Sequence, residues 1–181
     1  PIDIQKIKDS VDSGKIKWTE HVAKRLISRH ISPNEVLQAL SNGRIIEDYP
    51  SDYPFPSCLV FGCTVQNRKL HIVCSIVNDD TLTIITAYEP DFNKWNETFT
   101  KGGIHDDELH ICKGDLQDAL TTFTIDLDSC IVIIRNVPSQ VCTQCGETYY
   151  STEVMQQLYK IADSVRNSMT EIVVVNYHSA A

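Results

Sequence analysis

The chain of 181 residues has no apolar run near the roughly 18 residues of a membrane-spanning helix, so no segment is expected to cross a bilayer. No succession of basic, apolar and small residues marks a secretory leader at its start. No segment recurs and no low-complexity tract interrupts it, which excludes a solenoid or repeat array. An even set of cysteines is also missing. The seven present lie mostly in apolar, strand-like surroundings, which excludes a simple disulfide framework and fits reduced thiols in a cytosol. Basic charge is scarce, at 16 Lys and Arg against 24 Asp and Glu. With a hydrophobic share of 42% and a charged share of 22%, the expectation is a soluble, cytoplasmic, folded protein of one ordinary domain or two small ones.

The charge that is present is unevenly placed. Residues 1–100 carry 11 basic and 13 acidic side chains, net −2, whereas residues 101–181 carry 5 and 11, net −6. The first thirty residues hold 7 basic against 4 acidic groups. A local positive face on the first part and an acidic second part can attract each other, since complementary fields guide association. Ordinary solvated surface charge accounts for the same numbers. The acidic second part contains no helix-turn-helix pattern, so direct DNA binding is not expected.

Periodicity divides the chain further. Ile4, Ile7 and Val11 recur at helical spacing ahead of Gly14, which is placed to end that helix. Lys15 to Trp18 reads as a short strand. Thr19 caps a second helix to about His30, with Val22, Leu26 and Ile27 as its apolar stripe. Ser32-Pro33-Asn34-Glu35 is a capping box with proline at the first helical position, and Asn42-Gly43 closes that third helix. Strands are then expected at 44–49, 58–65, 69–77 and 81–88, with turns at Gln66-Asn67-Arg68 and Asn78-Asp79-Asp80, forming an antiparallel meander. Thr100 to Glu108, with Gly102-Gly103 and an acidic run, reads as a linker. Beyond it, Leu116 to Leu127 and Cys130 to Val137 alternate as strands, Ser151 caps a helix, and Glu171 to Tyr177 forms a closing strand.

Cys142-Thr143-Gln144-Cys145-Gly146 places two thiolates where one tight turn can direct both at a tetrahedral ion. Cys112 stands as half of a matching knuckle. The position three residues earlier is Leu109, so the second sulfur of that knuckle is absent. His110 is the nearest nitrogen donor for a three-cysteine, one-histidine site, and His105 is a more distant one.

Trp18-Thr19-Glu20-His21 with Arg25 and Arg29, Ile46 to Pro50, and Ile84 to Asp91 carry a resemblance over residues 16–96. This segment resembles a widespread bacterial domain family with a RelE-like toxin fold. Cys112-Lys113-Gly114, Thr122-Phe123-Thr124, Ile134 to Pro138 and Val141 to Glu147 carry a second. From Cys112 to Tyr177 the chain is similar to YgiT-type zinc fingers, akin to the N-terminal zinc domain of MqsA antitoxins. The resemblances imply α+β folds: helices packed on a small antiparallel sheet over residues 1–100, a linker over 101–108, and a small α+β, zinc-ribbon-like domain over 109–181. They also imply a structural Zn²⁺ ion on four thiolates, of which this chain has Cys112, Cys142 and Cys145 at matching places. Cys130 matches a non-ligand place and is expected in a strand core.

Active RelE-like ribonucleases cleave RNA without metal: a base takes the 2′-hydroxyl proton, cations stabilise the phosphate and an acid protonates the leaving oxygen. His21, Arg25 and Arg29, at i, i+4 and i+8, can share one helix face and grip a phosphate. His71 alternates with Leu70 and Ile72 and is expected to project from its sheet, near Tyr88 at the end of the next strand. The plain alternative makes His21 and Arg25 surface or capping residues and His71 a satisfied partner of a second layer; Glu89 and Asp91 read as turn and helix-start residues. Two functions follow. One is a toxin–antitoxin type fusion, in which a metal-independent endoribonuclease acting on RNA is neutralised by intramolecular contact with its zinc-finger module. The other is a pair of non-catalytic binding modules whose terminal strand joins copies into a homo-oligomer or meets another protein by strand addition.

Overall fold

The computed structural model describes residues 1–77, 80–91, 93–96, 99 and 112–180. The linker expected over 101–108, with His105, and also Leu109, His110 and most of the 78–80 turn lie outside the described residues. Among the described residues no helix is long and apolar enough to cross a membrane.

Among the described residues four α-helices form where local chemistry closes their ends. α1 (Ile4–Ser13) starts at Asp3, whose carboxylate accepts from the Gln5 amide, and ends at Gly14 in the left-handed region. β1 (Ile16–Thr19) leads directly into α2 (Glu20–Ser28), capped by the Thr19 hydroxyl. α2 is shorter than expected, because Arg29 already departs from helical geometry and His30 takes φ +54°. α3 (Pro33–Asn42) opens with the full reciprocal box: the Glu35 amide donates to Ser32 Oγ at 3.2 Å and the Ser32 amide to Glu35 Oε2 at 2.8 Å. Such a cap contributes about 0.5–2 kcal/mol. α4 (Thr152–Val165) uses Ser151 as its cap.

The strands are β2 (Arg44–Tyr49), β3 (Ser57–Cys63), β4 (Lys69–Val77), β5 (Thr81–Tyr88), β6 (Leu116–Asp126), β7 (Ile131–Cys142), β8 (Thr148–Tyr150) and β9 (Ile172–Asn176). β2 to β5 form the expected meander. β7 runs five residues beyond the expected Val137, past Pro138 to Cys142, and β8 has no counterpart in the sequence reading. β6 pairs regularly along this extension, and the register shifts only between Thr121 and Phe123, opposite Asn136 at φ +57°.

The nine strands among the described residues belong to one sheet in the order β2-β3-β4-β5-β1-β8-β7-β6, with β9 also on β7. It is mixed rather than antiparallel, because β1 meets β5 and β9 meets β7 in parallel. β1 joins the two parts of the chain through Trp18↔Tyr150 and Thr19↔Tyr149. The helices share one face and one core. Ile7, Val22, Leu26, Val36 and Leu40 pack in the same cluster as Phe123, Val132, Ile134, Met155 and Leu158. Burial of each aliphatic side chain contributes about 1.5–3 kcal/mol. The opposite face of the meander carries a second cluster of Leu59, Val73, Ile85, Trp95 and Phe99. The architecture is α+β with a mixed, open sheet.

Trp18 is fully buried at the junction, and its indole donates to Thr152 Oγ1 at 3.0 Å. Trp18→Ala is expected to cost about 3–5 kcal/mol in urea unfolding. Hydrogen exchange should show β4 and β7 losing protection together; a β7 that stays protected after β4 has melted would contradict a shared core.

Candidate functional site

Three described cysteines converge at the base of the β6–β7 hairpin. Cys112 precedes β6, Cys142 ends β7, and Cys145 lies on the turn that returns to β8. Their sulfurs all lie within 4.8 Å of one another, and Cys112 Sγ stands 3.0 Å from Cys142 Sγ and 3.2 Å from Cys145 Sγ. The turn is held by main-chain bonds: Cys142 N–H donates to Glu147 O at 2.9 Å, Gly146 N–H to Cys142 O at 3.0 Å and Thr143 N–H to Asp115 O at 2.9 Å. Gly146, at φ +77°, supplies the left-handed residue that closes it.

Gly114 makes the cradle. A Cβ there would lie 2.6 Å from Cys142 Sγ, 2.7 Å from Gln144 Cβ and 3.3 Å from Cys112 Sγ. Its amide donates to Cys112 Sγ at 3.3 Å, so the backbone itself occupies the space a side chain would need. This group of sulfurs can hold a metal ion. A tetrahedral ion with sulfur at ~2.3 Å separates its ligands by about 3.8 Å, so an entering ion would spread the present thiols by several tenths of an ångström. His110 lies outside the described residues, and Cys130 is buried away from the cluster, beside its own β7.

The thiols differ in acidity. Burial opposes ionisation of Cys142, but hydrogen bonds from the Cys112 thiol and the Cys145 and Gln144 amides lower its pKa to about 7. Cys145 is pushed up to about 11, first by burial and then by its Cys112 and Cys142 neighbours, against a helping amide bond from Glu147. One thiolate is therefore preformed near neutral pH, as a metal ligand requires.

The five catalytic candidates do not converge. His21, Arg25 and Arg29 are half-buried on α2 or its end, on the helix-covered side of the sheet. Arg29 is engaged by the fold, its Nη1 donating to Ala87 O at 2.8 Å and Thr86 Oγ1 at 3.1 Å. His71 and Tyr88 are cross-strand partners with rings 5.4 Å apart, on the other face. His71 projects from the face opposite Leu70 and Ile72, where it is covered as the plain alternative has it: it is 0% exposed, with Trp95 4.3 Å and Phe61 5.8 Å from its ring. Its Nε2 donates to Phe99 O at 2.8 Å. Burial lowers its pKa, against opposing contributions from the Phe99 carbonyl and Glu47, so the ring stays neutral at physiological pH. A neutral imidazole among three aromatic rings, tied to the Phe99 carbonyl, can order a sheet face.

A family model described as a domain of unknown function, DUF4258, matches residues 18–89, from Trp18 in β1 to Glu89 just after β5. The match covers less than half of the chain and ends before the cysteine cluster. Neither the curated proteins nor the solved structures contain a match.

The ladder through β8 and the Gly114 cradle were missed in the sequence. The only signal for the latter was a glycine two residues after Cys112. In metal-free protein, ultraviolet thiolate absorbance should show a first rise as pH increases through about 7. Cys142→Ser should remove the first step; an unchanged first step would assign it elsewhere.

Proposed function

We propose that this chain is a toxin–antitoxin type fusion in its neutralised form. Residues 1–100 are a RelE-like module of ribonuclease type, and residues 109–181 a YgiT-type zinc-finger module that inhibits it from within the same polypeptide. The observation that carries the reading is the β1–β8 pairing, which merges the two parts into one sheet and one core. An inhibitor that supplies strands to its target shields it more completely than one held by surface charge alone, because main-chain bonds and apolar burial act together. The single-chain linkage also makes the contact intramolecular and independent of concentration.

In this reading the cluster binds Zn²⁺ through Cys112, Cys142 and Cys145, and the ion's contribution is structural, tying the start of β6 to the turn after β7. The basic groups His21, Arg25 and Arg29 and the pair His71 and Tyr88 are held in non-convergent positions while the sheet is intact. The burial of His71 also favours a second reading, in which both modules bind without catalysis.

Intact protein is expected to leave RNA uncut. Residues 1–100 expressed alone should degrade RNA and arrest growth, residues 109–181 supplied together with them should copurify and relieve it, and His21→Ala with Arg25→Ala should silence it. Stable association of two inert pieces would select the binding reading. Elemental analysis of intact protein should find close to one zinc per chain, reduced severalfold by Cys142→Ser or Gly114→Ala; metal-free wild-type protein recovered from zinc-supplemented growth would end the zinc assignment.

A further inference from the structure

β9 reads Ile172-Val173-Val174-Val175-Asn176, and among the described residues its strand partner is β7 alone, met in parallel from Ile131↔Ile172 to Arg135↔Asn176. Beyond that ladder, no main-chain group of residues 172–175 bonds to another described residue. β9 therefore offers an open sheet edge. Proteins normally guard such an edge with lysine, proline, a bulge or a charged side chain pointing inward. The 172–177 stretch has no proline and no charged residue, and its register against β7 is unbroken.

The side chains are equally unguarded. Val173 and Val175 pack against the main core, which fixes the strand, while Ile172 and Val174 are 54% and 57% exposed on the other side. Ile131, the β7 partner of Ile172, is 38% exposed beside them. An exposed strip of β-branched residues along an unpaired edge is what strand addition uses, the backbone giving affinity and the side chains setting register.

We propose that β9 is the seam of a homodimer, in which the β9 strands of two copies pair antiparallel about a twofold axis and carry the sheet from one chain into the next. A second copy suits this edge because the strand is self-complementary. Placing Val173 opposite its own equivalent sets Ile172 of each copy opposite Val174 of the other, so each central pair is aliphatic and β-branched. Each chain has net charge −8, which disfavours most encounters between copies, but residues 172–177 bring no like charges together. This contact is separate from the internal β1–β8 seam and does not depend on ribonuclease or zinc function.

The test is sedimentation of the full-length protein at about 1–200 µM with hydrogen exchange on the same samples. Wild-type protein should reach twice its 20.4 kDa chain mass, with β9 amides gaining protection as the dimer forms. Ile172→Lys with Val174→Lys changes only exposed side chains and should weaken dimerisation at least tenfold while circular dichroism and unfolding remain those of the wild type. Leu120→Lys, at an exposed position on β6 away from β9, should leave the dimer intact. A wild-type chain that stays at 20.4 kDa would overturn the proposal and leave the edge to a strand of another protein. Equal dimerisation by the double-lysine variant, or loss of dimer in Leu120→Lys, would place the interface elsewhere.

Discussion

The pairing of β1 with β8 is the constraint on which the rest of the molecule depends. β1 is only four residues long, yet it has β5 in parallel on one side and β8 antiparallel on the other. Trp18 sits on its core-facing side, in the cluster that contains side chains from all four helices. Removing this strand from the sheet would expose an edge of β5 and an edge of β8 at once. It would also leave the apolar faces of α2 and α4 without their common floor. The order of events along the chain is thus reversed in space: one of its first strands is the hinge between its earlier and later parts.

That arrangement keeps the five candidate residues apart. The meander has two faces with different duties. One is covered by helices and joins the common core, and there Arg29 is used to bind the end of β5. The other is covered by Trp95 and Phe99, and there His71 is used to anchor the Phe99 carbonyl. Arg25 and Arg29 are separated from the His71 imidazole by the thickness of the sheet, so the five candidates have no common surface in this conformation.

Much of this was legible in the sequence where the signal was local. Gly14, the Ser32–Glu35 box and the alternation within β4 and β5 each reflect short-range rules, and they mark elements closely. The cysteine cluster was legible for the same reason at Cys142 and Cys145, which share one turn. What was hidden depends on contacts distant in sequence. Thr148-Tyr149-Tyr150 is too short for periodicity to identify as a strand, and it becomes one because Trp18, more than a hundred residues earlier, lies beside it. The alternation read as ending at Val137, but β7 continues through Pro138, which pairs with Leu120 of β6, to Cys142, an extension that no local pattern announces. Alternation placed His71 on the face away from Leu70 and Ile72, as found, but it says which face a side chain takes, not what later covers that face.

The charge asymmetry of the sequence suggested a different kind of junction from the one found. A local basic surplus in the first thirty residues and an acidic second part point to attraction between ionic surfaces, which salt screens. The contacts that cross the junction are mainly of another sort. Trp18 donates to Thr152, Gln156 to Asn34, and Arg166 to the carbonyl of Ile27. Cations from each part lie over aromatic rings of the other: Lys24 is 5.8 Å from the centre of Phe123, and Lys113 is 5.5 Å from that of Phe55. Lys17 and Asp118 do attract across it, but burial of Lys17 outweighs that attraction and holds its pKa down. Specificity at this junction therefore rests on strand register, shape and ring-facing cations, with ionic complementarity a smaller addition.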